Sequence, residues 1–255
     1  MGAGELAVKK SGQEGCPKSI ADVISGEKVF SMLKRSINVD WREYVALVSD
    51  RLDRARHPFA VLVGIILSQN TNDRNSIKAY MLLREKIGVS PEEILEASEE
   101  RIAEAIRVAG LWRQKARALR EAARSIIEAG GERVLLEKDW RELREMLLKI
   151  PGIGQKTVDV FLSLVRRAPV FAVDTHAFRI ARRWGLVGER ASYEETSRAL
   201  LEFFGPERSE EAHRLLIALG RRFCKARNPL CSECPLRDYC PYYCRARSSA
   251  SNSTG

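Results

Sequence analysis

Apolar residues recur three and four positions apart along most of this 255-residue chain, and nowhere does a period-two alternation run long enough to build a sheet. The pattern predicts helices over Glu27 to Ser36 (Val29, Phe30, Leu33) and Trp41 to Arg56 (Trp41, Tyr44, Val45, Val48, Leu52). Phe59 to Leu67, behind Pro58, is apolar on every side and fits a buried strand or a buried helix; helical segments around it favour the helix. Further helices are expected at Arg74 to Ile87, Pro91 to Ala97, Glu99 to Val108, Gln114 to Ala129 and Trp140 to Leu148, with Gly88, Gly110 and Gly130 as stops. Beyond a short extended link at Pro169 to Val173, helices are expected from Asp174 through Trp184, over Ser192 to Phe204 and over Ser209 to Phe223. Residues 1 to about 26 read as a mobile lead-in, and the low-complexity residues 248–255 as a disordered tail. The fold class is all-α.

The interruption between Leu148 and Val158 is the informative one. Lys149 to Val160 reads KIPGIGQKTVDV, a pair of helices joined by a tight hairpin. Glycines there permit positive φ and close approach of a ligand. The unpaired N–H groups opening the second helix sit at its positive dipole end, a geometry suited to phosphate. Pro151, Gly152, Ile153, Gly154 and Gln155 are therefore candidate phosphate contacts. Taken alone, a PGIG segment is in most chains only a turn. The polar run Ser68 to Asp73, SQNTND, suits a loop of hydrogen-bonding side chains or a helix cap. Leu111-Trp112 is either an exposed wedge or a core pair.

Charge changes the picture. The net charge is +9, with seven Lys or Arg between Arg221 and Arg247 and five between Arg113 and Arg124, both beside segments singled out by pattern. That distribution favours a footprint on a nucleic-acid backbone. The longest apolar run, Phe59 to Leu67, is too short to span a bilayer, and residues 1–20 carry no apolar signal core. A cytoplasmic protein without a membrane partner is expected.

Five of the six cysteines crowd the C-terminal end, and Cys224, Cys231, Cys234 and Cys240 follow C-x6-C-x2-C-x5-C. With no secretory signal, disulfides are not expected. Four thiolates so close in sequence point to zinc or an iron-sulfur cluster. Cys244 is left over as a bystander, and Cys16, alone near the N-terminus, as inert.

The hairpin with Lys156, VDTH at Val173 to His176, and the cysteine spacing together resemble the endonuclease III family of the helix-hairpin-helix DNA glycosylase superfamily. The likeness runs from about residue 41 to 244 and extends to Leu67-Ser68-Gln69, Gly110 to Ala116 and His213 to Arg221. It implies a 4Fe-4S cluster on Cys224, Cys231, Cys234 and Cys240. It also implies two helical domains with double-stranded DNA, carrying a damaged base or an abasic site, bound in the groove between them. One domain would be residues 50–168 with the hairpin; the other would be residues 169–247 joined by residues 1–49. The family flips the damaged base out of the duplex. By that likeness Gln69 would fill the vacated space, Leu111 would wedge the opposite strand, and His176 would serve structure or contact phosphate. The protein would act as a monomer.

Cleaving an N-glycosidic bond needs a nucleophile at the sugar C1′ and stabilisation of an oxocarbenium-like transition state. Lys156 can attack once its amine is neutral, a form favoured by a helix N-terminus and by desolvation under bound DNA. Asp174 is the candidate proton acceptor and would stabilise the developing cation, while also able to cap the helix that follows it. An amine at C1′ leaves a Schiff base, and β-elimination from it cuts the strand, so glycosylase and abasic-site lyase activities follow from one residue. Oxidised pyrimidines are the default substrate. The alternatives are a monofunctional thymine or uracil mismatch glycosylase, in which Asp174 activates water and Lys156 holds phosphate, and a non-catalytic DNA-binding protein. Three departures from the family stand out: Gln155 where arginine is common, Asp159 where a small or amide residue is usual, and one extra residue in QNTND.

Overall fold

The structure, a computed structural model, describes residues 15–251. The first fourteen residues of the expected lead-in and the last four of the expected tail lie outside that range. Fourteen α-helices and several 3-10 turns make up the described chain, with no β-strand among the described residues.

The helices are α1 (Gly26–Ser36), α2 (Val45–Asp53), α3 (Phe59–Ser68), α4 (Asp73–Lys86), α5 (Pro91–Glu96), α6 (Glu99–Ala105), α7 (Trp112–Glu128), α8 (Val134–Glu137), α9 (Trp140–Leu148), α10 (Gln155–Val165), α11 (Thr175–Arg183), α12 (Tyr193–Phe204), α13 (Ser209–Arg222) and α14 (Pro241–Ser251). Polar caps set many of their starts. Ser90 and Ser192 each form a reciprocal capping box with the glutamate three residues on, and Asn72, Ser98, Asp139 and Asp174 each accept a backbone N–H.

Two separate apolar cores organise these helices. The first gathers α2 to α7, α9 and α10 around α3, whose residues Phe59 to Leu67 are all buried; this settles the ambiguous apolar run as a helix. The second gathers α1, α11, α12 and α13 with Ile20, Ile24, Phe171, Val173 and Leu236. The chain passes from one to the other between Val170 and Phe171. Burial of this much aliphatic and aromatic surface is the main force holding each body together.

Several expectations need correction. The helix expected from Trp41 is broken: Asp40 caps a 3-10 turn at Trp41–Glu43, and Tyr44 is extended, so α2 starts at Val45. Trp41, Tyr44, Val45 and Val48 pack on the first core, so the segment expected to join the cluster-bearing body divides near residue 40 and not near 49. The lead-in is ordered from residue 15 on. Ile20 is fully buried and its N–H bonds the Trp184 carbonyl at 2.8 Å. Gly185, at φ +69°, admits this crossing, since a Cβ there would meet the Lys18 carbonyl oxygen.

At the other end, α14 carries the chain helically through Ser251, where a disordered tail was expected from 248. Cys16 and Cys244, read as inert and bystander, form a disulfide that joins the segment before Ile20 to α14 across 228 positions. Packing of Ile20 against the second core is what delivers Cys16 to α14. Among the described residues, no helix is long and apolar enough to cross a membrane.

Candidate active site and cluster site

The groove between the two cores begins with the hairpin. Ile150 and Ile153 are buried in the first core, and the Ile153 N–H bonds the Ile150 carbonyl at 3.1 Å, which leaves Pro151, Gly152 and Gly154 exposed at the tip. Gly152 takes φ +86°, and a Cβ there would press the Ala118 methyl at 3.0 Å. Gly154 caps α10 without a side-chain hydrogen bond, so the first N–H groups of that helix point outward unpaired. Lys156 occupies this exposed first turn.

From the second core, α11 presents its own N-terminus to the same space. Asp174 caps it, with Oδ1 accepting from the Ala177 N–H at 2.7 Å. Lys156, Asp174, His176, Gln69 and His213 all line one groove, together with Arg221, whose guanidinium pairs with Asp73 at 2.7 Å. The chain thus brings two residues eighteen positions apart, one from each core, to a common wall. No ion pair within 4.0 Å joins Lys156 to Asp174; each is held by its own helix.

The remaining sequence-predicted contacts fall as follows. Gln69 ends α3, and its side-chain amide donates to the Gly152 carbonyl (3.1 Å) and to Thr157 Oγ1 (3.0 Å), tying the polar loop to the hairpin. Leu111, 48% exposed in the left-handed region at φ +48°, stands just before α7 and outside the lining of the groove. Gln155 reaches across to hydrogen-bond Glu194 at the start of α12.

His176 Nδ1 accepts from Arg179 Nη2 at 3.0 Å, which puts the proton of the neutral ring on Nε2. Burial pushes its pKa down, Asp174 opposing and Arg179 adding to the shift. The ring packs directly on α13 at Gly220, where a Cβ would meet Nδ1. His213, one helical face along α13, is buried with Nε2 unpaired, and burial brings its pKa down to about 4.

Sequence pattern assigned no role to several polar residues that build this region. Asp159 is buried on α10 against Arg144 and Tyr193. Lys115 is buried on α7, and Glu210 and Arg214 pair on α13 at 2.7 Å. Asp159 stands out as a departure, and Lys115 and Arg214 fall within the likeness over Gly110 to Ala116 and His213 to Arg221, but a charged residue on an otherwise apolar helix face says nothing of its partner.

The cysteine end closes over a second cavity. Cys224, Cys231, Cys234 and Cys240 line it with Trp184, Leu219 and Phe223. Arg183 Nη1 donates to Cys224 Sγ at 3.2 Å and to the Lys225 carbonyl at 2.8 Å. Burial raises the thiol pKa of Cys231, Cys234 and Cys240, with Cys234 at about 12 and the neighbouring thiols adding to the shift. An all-sulfur donor set of this kind in an apolar pocket is suited to thiophilic iron, whose positive charge favours the thiolates. Among the described residues no three Cys, His, Asp or Glu side chains group as ligands of one metal ion. The four thiols line one cavity together. Arg179 links this end to the groove, donating to the Cys224 carbonyl (2.9 Å) as well as to His176.

Comparison with known proteins agrees with this architecture. Residues 63–206 match the model of the HhH-GPD superfamily base excision DNA repair proteins, and residues 224–240 match the iron-sulfur binding domain of endonuclease III. Endonuclease III of Sulfolobus acidocaldarius is 36% identical over 217 residues, covering 85% of this chain and 95% of that protein. Endonuclease III of Thermotoga maritima is 38% identical over 188 residues, covering 74% and 84%. A trapped endonuclease III–DNA covalent intermediate superposes with a TM-score of 0.67 at 27% identity, over 89% of this chain and all of that one. A thermostable thymine-DNA glycosylase shares the fold, with a TM-score of 0.68 at 23% identity.

These features define a base excision repair enzyme, a DNA glycosylase with associated abasic-site lyase activity that carries a 4Fe-4S cluster. The chain belongs to the endonuclease III family of the HhH-GPD superfamily.

Proposed function

We propose that the enzyme releases oxidised pyrimidines from duplex DNA through a Schiff base on Lys156 and then cleaves the abasic site by β-elimination. The observation that carries this reading is the meeting of Lys156 and Asp174 in one groove, each at a helix N-terminus and each from a different core. The Lys156 amine attacks C1′ as the base leaves, and Asp174 takes a proton from the attacking nitrogen. Its free oxygen, Oδ2, faces the cationic sugar carbon during departure. Ring opening gives the imine, which acidifies the 2′ hydrogens; loss of one expels the 3′ phosphate. Asp174 serves both as helix cap and as acid-base group, one oxygen for each task.

Recognition is divided among the loops. The exposed N–H groups of the hairpin, Gly154 and Gln155, hold the backbone phosphate, with Pro151, Gly152 and buried Ile153 shaping the approach. Leu111 wedges the strand opposite the lesion. Gln69 leaves its hairpin partners to fill the gap left by the flipped base. His176 donates from Nε2 to a phosphate or the sugar. Cys224, Cys231, Cys234 and Cys240 hold the cluster, which supplies a rigid support for the Arg-rich segment running from 224 to 247, a loop that leads into α14. The protein acts as a monomer on double-stranded DNA in the cytoplasm.

Borohydride trapping tests the chemistry. On a duplex carrying thymine glycol, and on an abasic-site duplex, the wild type should form a covalent adduct and Lys156→Ala none. Absence of the adduct on both duplexes would overturn the imine route. A Lys156→Ala variant that still releases base would instead assign the attack to water activated by Asp174.

A further inference from the structure

Lys156 and Asp174 make no direct bond, so their separation must be set by the scaffold behind them. Asp159 lies on α10 three residues after Lys156, on the buried side of the same turn, and is 1% exposed. Its carboxylate takes a two-pronged contact from Arg144 on α9, Nε to Oδ1 at 2.8 Å and Nη2 to Oδ2 at 3.3 Å. Oδ2 also accepts the hydroxyl hydrogen of Tyr193 at 2.9 Å. That hydroxyl in turn accepts from the Val173 N–H at 3.3 Å. Val173 is buried and covalently precedes Asp174.

A continuous path therefore runs from Lys156, one turn along α10 to Asp159, through the tyrosine oxygen, to the backbone that carries Asp174. It crosses between the two cores, since Asp159 sits on a first-core helix and Val173 in the second core. The α12 helix grips the link at a second point, where Ser197 Oγ donates to the Phe171 carbonyl at 2.7 Å. A buried carboxylate is costly unless its lone pairs are met, and here a guanidinium and a phenol meet them. The phenol stays protonated, because burial and Asp159 raise its pKa. Loss of the hydroxyl strands the Val173 N–H and leaves Asp159 Oδ2 with only the longer contact from Arg144.

We propose that Asp159 and Tyr193 are positioning residues for the reaction, their hydrogen bond fixing the distance across the groove between Lys156 and Asp174. The inference rests on the reading of Lys156 as nucleophile.

The test is single-turnover borohydride trapping on a duplex with a preformed abasic site, alongside the dissociation constant for the same duplex. Tyr193→Phe should slow trapping on the order of tenfold while affinity stays within about twofold, the signature of misplacement and not of lost binding. The matched control is Tyr80→Phe. Tyr80 donates to buried Asp53 at 2.5 Å beside Arg84, the same three residue types away from the groove, so that variant should lose stability and keep the wild-type rate. Should Tyr193→Phe not fold, Asp159→Asn against Asp53→Asn gives the same contrast. A trapping rate for Tyr193→Phe equal to that of Tyr80→Phe overturns the proposal while leaving Lys156 as nucleophile. No adduct with the wild type overturns the nucleophile, and the positioning role falls with it.

Discussion

Lys115 donates from its buried ammonium to the Leu67 carbonyl at 2.8 Å, and a second hydrogen bond, at 2.9 Å, goes to the Ala109 carbonyl. Leu67 lies two residues before Gln69 and Ala109 two residues before Leu111, so one side chain, 3% exposed, ties together the two loops proposed to probe the duplex. Burial brings its pKa down to about 8. Lys115→Met keeps the length and removes both donors, leaving two carbonyls unpaired. It should cost about 1–3 kcal/mol in stability by denaturant unfolding. Base release should fall more on a fully paired lesion than on the same lesion in a mismatched bubble, where extrusion is already partly done. Equal losses on the two substrates would show that the loops act independently of this tie.

Acid stability is set in part by His213. Its pKa is about 4 in the folded chain against 6.5 for the free side chain, with burial as the main cause. Between those values the unfolded chain binds a proton that the folded chain refuses. Stability is therefore complete above pH 6.5 and falls as pH drops, by about 3 kcal/mol at pH 4. His176 is shifted the same way and adds to the slope. Unfolding free energies measured from pH 7 to pH 4 should show this decline, and His213→Gln should flatten it. An unchanged slope in that variant would place the acid sensitivity elsewhere.

Helix positions and the hairpin were legible from periodicity, because a face repeats every three or four residues whatever it packs against. Trp140–Leu148 and the break at Pro151 to Gly154 are examples. The family resemblance, carried by the hairpin, VDTH and the cysteine spacing, supplied the chemistry. Pairings between distant residues were not legible. Asp159 finds Tyr193 34 positions away, Lys115 finds Leu67 48 away, and Cys16 finds Cys244 228 away. Periodicity names a face and leaves the partner open. The same limit explains Val45 and Val48: their spacing marked them as core, without saying which of two cores.

The cluster site makes a prediction about binding as well as content. Purified protein should contain iron and acid-labile sulfide, and Cys234→Ser should lose both, since three thiolates remain. A cluster on these four thiolates would tie residues 224–240 to one centre, and Arg227, Arg237 and Arg183 lie in or against that segment. Without it, those cations no longer present a fixed surface to the backbone. Affinity for undamaged duplex should fall, and its dependence on salt should become shallower, because fewer counterions are released. A Cys234→Ser protein with unaltered salt slope would show that the loop's cations do not contact DNA.

The Cys16–Cys244 bridge closes nearly the whole chain into one loop, from the segment before Ile20 to the helix that follows Cys240. A cross-link of that span restricts the unfolded chain far more than the folded one, an effect of about 2–4 kcal/mol in typical cases. Disulfides are uncommon inside cells, with the proteins of hyperthermophiles as the known exception. Thiol titration of the unfolded, metal-free protein should find four thiols before reduction and six after, matching the four cluster cysteines plus the pair. Cys16→Ser should lower the unfolding midpoint without changing iron content, since neither bridge cysteine is a cluster ligand. It should leave trapping on abasic duplex intact at temperatures well below the midpoint, because the groove lies at the N-terminal end of α11 and the bridge's anchor, Trp184, at its C-terminal end. Loss of the cluster in Cys16→Ser would mean instead that the bridge braces α14 against the cluster loop, and that the two ends of the chain are part of the metal site's support.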